Sequence, residues 1–194
     1  MDMYTPAKRE FLEYFQEKIL APRGLDYRIQ FAGPTGTNAG EAAIKLARMN
    51  KGRENIFAFM GAFHGMTFGS LALTTDRCSR DAAGQSLPNV THIPAPYMFP
   101  GFDTIAYMER LLTDDHSGVE KPAAVILETV QADGGIYVFD VQWLKDNGFL
   151  YVAEYVSSNI NNYRPEVLSD IGYDDYAPFL NGDETVADSS TVTG

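Results

Sequence analysis

The chain has 194 residues, 45% of them hydrophobic, with 12 Phe and 11 Tyr, which is enough apolar material for a packed core and excludes a wholly disordered chain. Lys and Arg number 15 against 26 Asp and Glu, and a net charge of -11 argues against nucleic acid or an anionic membrane as a partner. No apolar run approaches the roughly 18 residues of a membrane span.

Met1 to Phe11 is polar and charged, with no signal-peptide core. Cys78 is the only cysteine, so there is no disulfide framework, and a reducing cytoplasm is expected. The charge is uneven: Pro165 to Gly194 holds seven acids and no Lys or Arg, so -7 of the -11 lies there. That end reads either as a solvated tail or as a salt-adapted surface.

In chain order, Thr5 as N-cap and Pro6 at the first helical position predict a helix, with Phe11, Leu12, Phe15, Ile19 and Leu20 at helical spacing. Pro22 and Gly24 end it, and the alternation in Tyr27–Phe31 predicts a strand. The turn Gly33-Pro34-Thr35-Gly36-Thr37-Asn38 then opens into an Ala-rich helix that Gly52 stops. Ile56–Met60 is predicted as a fully apolar strand and Asn89–Ile93 as a short one. Asp103 caps a helix carrying Ile105, Met108, Leu111 and Leu112, and Ala123–Leu127 has the apolar run of a buried parallel strand. Leu150–Ala153 is one more candidate strand. From Ser157 onward no period is sustained, which leaves a loop-rich appendage or a tail. The alternation of strands and helices is that of an α/β layered domain.

Three strand ends carry chemistry. A strand, a Gly/Thr turn and a helix start offer free N–H groups and a positive dipole end, which suits an anion, phosphate above all; a tight connection has the same wording. Thr35 and Thr37 add hydroxyls. No Lys-Ser or Lys-Thr follows Gly36, so the turn is not a Walker A loop, and its spacing is not that of a dinucleotide fingerprint. After Ile56–Met60 come Phe63, which can stack on a flat ring or simply pack, and His64, which can exchange a proton or make a structural hydrogen bond. After Ala123–Leu127 comes Glu128, a carboxylate that is costly there unless paired or functional. Gln131 and the pair Gly134-Gly135 follow it.

Phe31–Ala39 with Glu41–Arg48, then Phe63-His64-Gly65-Met66-Thr67, then Ile126–Gln131 with Gly134-Gly135, resemble in order and spacing the class III aminotransferases over Met1 to about Lys145. The resemblance implies an α/β fold, an incomplete three-layer large domain of a pyridoxal-phosphate-dependent transferase. Residues 1–146 would be the partial cofactor-binding domain, and residues 147–194 a divergent acidic segment rich in Tyr, Asn and Asp. It implies pyridoxal 5'-phosphate as cofactor, its phosphate on Thr35, Gly36 and Thr37, Phe63 stacked on its ring and His64 beside it. Glu128 would lie near the substrate carboxylate and Gln131 would support that loop. An amino acid and a 2-oxo acid are the implied small-molecule substrates.

The likeness also fails in places. Such an enzyme needs an aspartate on the ring nitrogen and a Schiff-base lysine. Past Gly135 the next candidate strand offers only Glu154, and no lysine follows Lys145 among Lys8, Lys18, Lys45, Lys51, Lys121 and Lys145. No catalytic residue is therefore assigned, covalent cofactor attachment is not expected, and no metal site is expected. The likeness starts in mid-family at Met1, so the chain reads as a truncated or recombined reading frame. Exposed edges of the shortened sheet imply a homo-oligomer or other self-association. A non-catalytic fragment that binds phosphate or flat ligands, or an interaction module built on the acidic end, stands beside the enzyme reading.

Overall fold

The computed structural model describes residues 5–147, which fall into two compact units, 5–31 and 32–147. In the first, helix α1 (Pro6–Phe15) starts where the Thr5 hydroxyl accepts the Lys8 N–H at 3.2 Å. It continues through one π turn (Gln16–Leu20) and a 3-10 turn (Ala21–Arg23). Gly24 then stops it in the left-handed region at φ 63°, where a Cβ is costly. Tyr27–Phe31 is not a strand: it pairs with nothing among the described residues, and Tyr27 and Phe31 are 57% and 53% exposed. Alternation prepares a segment for a sheet but supplies no partner for its N–H and C=O groups.

The second unit is built on a parallel three-stranded sheet. Its elements in order are α2 (Gly36–Lys51), β1 (Ile56–Phe59), α3 (Phe68–Leu73), α4 (Arg77–Asp81), β2 (Val90–Ile93), α5 (Thr104–Thr113), β3 (Ala124–Ile126), β4 (Val130–Gln131), β5 (Tyr137–Val138) and α6 (Val141–Asp146). The sheet order is β2-β1-β3, and Ile56 stands opposite both Val90 and Ala124. Central β1 is buried on both faces, as parallel strands are. Phe57 and Phe59 pack with Ile93, Met108 and Leu144, while Ile56 and Ala58 pack with Ile44 and Leu73. One face of the sheet is thus covered by α5 and α6 and the other by α2 and α3. β3 is only half-buried because it flanks the sheet among the described residues, although its apolar wording suited a central strand.

The two ends of the sheet differ. At the N-terminal ends the Asn55 amide ties the strands together, donating to Thr91 Oγ1 at 3.1 Å and to the Glu120 carbonyl at 2.7 Å. At the C-terminal ends lie the loops that carry Phe63, Tyr97 and Glu128, the edge where open α/β sheets bind ligands. The Arg80 guanidinium donates to the carbonyls of Leu71, Ala72 and Thr74, ending α3. No helix among the described residues is long and apolar enough to cross a membrane. The candidate strand Leu150–Ala153, Glu154 and the segment 148–194 lie outside the described residues.

Candidate functional site

Helix α2 begins at Thr35, whose extended backbone (φ -132°, ψ 153°) and side chain make the N-cap, accepting the Asn38 N–H at 3.3 Å. The amides of Gly36 and Thr37 have no acceptor among the described residues, as expected of a first turn. Gly33, Pro34, Thr35 and Gly36 are exposed and Thr37 is half-buried, so the Gly36 N–H and the Thr35 hydroxyl proton face solvent at the positive end of a 16-residue helix.

Thr37 behaves differently from Thr35. Thr67 Oγ1 donates its one proton to Glu41 Oε1 at 2.5 Å, so in its 2.9 Å contact with Thr37 Oγ1 the donor is Thr37. The Thr37 hydroxyl is therefore committed within the protein, and its backbone N–H is what it offers an anion. Glu41 Oε1 also accepts the Ser70 N–H at 3.0 Å, and Ser70 Oγ donates to the Thr37 carbonyl at 3.2 Å. Glu41 thereby caps α3 from a neighbouring helix, where the N-cap Thr67 makes no side-chain cap bond of its own.

This network seats the ring loop (residues 61–67, which carry the Phe63 ring) against the helix start. Gly65 sits at φ 127°, and a Cβ there would run into the Thr37 side chain. A Gly65→Ala variant is thus expected to lose about 1–3 kcal/mol from backbone strain, plus the cost of displacing Thr37. Gly84→Ala, at φ 64° with open space around the added Cβ, should lose the backbone part only. Urea midpoints of the two variants check this, and equal losses would mean that Gly65 and Thr37 do not touch.

The loop itself is stitched down by threonines. Gly61 N donates to Thr75 Oγ1 and His64 N to Thr74 Oγ1, both at 2.9 Å, and Thr74 Oγ1 donates to the Gly65 carbonyl at 3.0 Å. Phe63 is half-buried and its N–H donates to Glu128 Oε1. His64 is 4% exposed. Glu128 is thus bonded to the backbone of the ring loop, 65 residues away in sequence. Gln131 has no exposed surface: its Nε2 donates to the Met60 carbonyl at 3.0 Å and its Oε1 accepts the Tyr97 hydroxyl. The hairpin of β4 and β5 closes over this point, with Gly134 packed on the Gly61 carbonyl so tightly that a Cβ would not fit. Burial first, then Tyr137 and Glu128, hold the Tyr97 phenol above its ordinary pKa, so it stays a donor.

The structure thus brings Thr35, Gly36, Thr37, Phe63, His64, Glu128 and Gln131 to one end of a single unit. Ser70 and Tyr97 carry no signal in the sequence, and Glu41 and Thr67 stand there only within the family wording, with no role of their own. Glu41 was within reach, because it stands four residues after Thr37 on the same face of the helix. Tyr97 sits in an irregular Pro-rich stretch that carries no periodic signal.

A family model described as aminotransferase class-III matches residues 5–148. The chain is 56% identical over 147 residues to the diaminobutyrate–2-oxoglutarate transaminase of Bordetella parapertussis, covering 75% of this chain and 34% of that one. It therefore spans about a third of the length of the curated relatives it matches. In fold it is similar to an omega-transferase from Vibrio fluvialis (TM-score 0.57, 19% identity, 74% of this chain and 36% of that one). It is also similar to the taurine:2-oxoglutarate aminotransferase of Bifidobacterium kashiwanohense, solved with PLP and glutamate (TM-score 0.51, 23% identity, 66% of this chain and 30% of that one). The matched span runs through the helix start, the ring loop and the hairpin that the fold gathers together, and the chain belongs to the class III aminotransferases.

Proposed function

We propose that this chain carries the phosphate- and ring-holding part of a pyridoxal-phosphate-dependent aminotransferase acting on diaminobutyrate and 2-oxoglutarate, and that the 194-residue chain by itself binds the cofactor without catalysing transfer. The observation that supports this most is the contact of Thr37 with Gly65 and Thr67, which seats an open helix N-terminus beside the loop of Phe63. The choice of substrates rests on the relative from Bordetella and on the wording Gly33–Asn38 with Leu20–Tyr27 before it, which resembles the diaminobutyrate enzyme of ectoine biosynthesis. A lone thiol suits the cytoplasm as its place.

The residues present fit the cofactor's anionic end: two amides of α2 are open and the Thr35 hydroxyl still has a proton to give. When bound, pyridoxal phosphate supplies the electron sink through which an amino group can move. Gly36 and Thr37 bind the phosphate through their N–H groups and Thr35 through its hydroxyl. Phe63 offers a ring face, His64 backs the loop from inside, Glu128 holds the Phe63 amide near the substrate carboxylate, and Gln131 fixes the strand end. None of these residues is a lysine that could hold and move a proton at the amino carbon.

Isothermal titration of the purified chain with pyridoxal phosphate, pyridoxal and inorganic phosphate tests the proposal. Phosphate held by charge-assisted hydrogen bonds is expected to make pyridoxal phosphate bind at least about tenfold more tightly than pyridoxal. Equal affinities would mean that the helix start does not grip the phosphate.

A further inference from the structure

We propose that Tyr97 is a positioning residue of this site: through the buried amide of Gln131 it fixes the end of β1, and so sets where Phe63 and Glu128 stand. The inference rests on the proposed cofactor reading and goes beyond it, because Tyr97 belongs to none of the three segments that carry the family resemblance.

Four pieces of chain meet at the Gln131 amide. Its Nε2 donates to the Met60 carbonyl, its Oε1 accepts from Tyr97, and its backbone pairs with Tyr137 in the hairpin. The Tyr97 ring stacks on that same Tyr137, with centroids 4.1 Å apart and planes 12° apart, so the phenol is held in place by its ring as well as its hydroxyl. Gly61 lies under both groups: a Cβ there would meet the Tyr97 hydroxyl at 2.5 Å and Gln131 Oε1 at 2.6 Å, and its φ of 85° suits glycine alone. The chain from Met60 to Phe63 is thereby fixed at Met60 by Gln131, at Gly61 by Thr75 and at Phe63 by Glu128. The Tyr97 hydroxyl is the donor that completes the first of these. Without it Gln131 Oε1 is a buried acceptor left short of a partner, a costly state that the amide can relieve by turning and releasing Met60.

The helix start has a separate support. Thr37, Thr67, Glu41 and Ser70 form a connected set that includes neither Gln131 nor Tyr97. A defect at Tyr97 should therefore reach the ring end of the site and spare the phosphate end. A merely structural defect would touch both.

The experiment uses the full 194-residue chain with Tyr97→Phe, which keeps the stack on Tyr137 and removes one hydroxyl. Tyr137→Phe, which keeps the same stack, is the control. Backbone amide exchange of residues 60–64 is expected to be roughly tenfold faster in Tyr97→Phe, with residues 36–40 unchanged and the control like the parent chain. Pyridoxal phosphate should bind roughly tenfold more weakly and inorganic phosphate as before. Unchanged exchange at 60–64 would overturn the proposal, as would equal losses for pyridoxal phosphate and inorganic phosphate. If the parent chain bound no pyridoxal phosphate, the cofactor reading would fail, and the exchange measurement would still decide whether Tyr97 fixes the loop.

Discussion

Purified chain mixed with pyridoxal phosphate, diaminobutyrate and 2-oxoglutarate is expected to form glutamate no faster than the cofactor does alone. A placed general acid or base contributes roughly 10²–10⁴-fold, and correct positioning of the reacting groups about 7–11 kcal/mol. Both contributions need a lysine at the amino carbon, and none of the site residues named above is a lysine. Lys45 is nine residues past Gly36 on α2, which at 1.5 Å per residue puts it about 13 Å from the helix start. Lys51 ends that helix, and Lys121 precedes β3, so both lie toward the N-terminal ends of the strands, opposite the ring loop. Lys145 is on α6, and Lys18 pairs with Glu17 at 2.8 Å. Borohydride reduction after incubation with the cofactor should accordingly label no single lysine in stoichiometric yield. A rate well above the cofactor background, with one lysine labelled, would show that a side chain passed over here serves as the base.

The largest loss of stability is expected from Phe59→Ala. Phe59 has no exposed surface and meets Phe139 edge-on at 5.4 Å and Trp143 at 6.2 Å, so its ring joins β1 to α6 and to the end of the hairpin. Truncation removes the transfer free energy of the ring and leaves a cavity that these neighbours cannot fill, together about 3–5 kcal/mol. Against a typical total of about 5–15 kcal/mol that is a large share, and Phe59 directly precedes the segment that bears Gly61 and Phe63. Urea unfolding checks the value, with Phe68→Ala as comparison. Phe68 is 57% exposed, and its loss should stay near about 0.5 kcal/mol. Similar midpoints for the two variants would place the core elsewhere.

Much of this chain could be read from residues alone, wherever the governing forces act over a few positions. The caps at Thr5 and Asp103, the stops at Gly24 and Gly52 and the apolar run of β1 are short-range decisions, and each stands in the structure as the sequence predicts, whereas α2 starts at Gly36, inside the stretch read as a turn. The family was legible for a similar reason, because its signature lies in three continuous stretches. What the sequence left undecided depends on partners far away in the chain. Tyr27–Phe31 has the alternation of a strand and no ladder to join, whereas Val130–Gln131 and Tyr137–Val138 are too short to signal a hairpin and form one because Gly134 can lie on Gly61. The direction of the Thr37 proton follows from Glu41 and Thr67, and the place of Phe63 from Glu128, 65 residues on. A hydroxyl or an amide has several possible partners of nearly equal energy, and only the packed tertiary structure, by excluding water from all but one, decides which it takes.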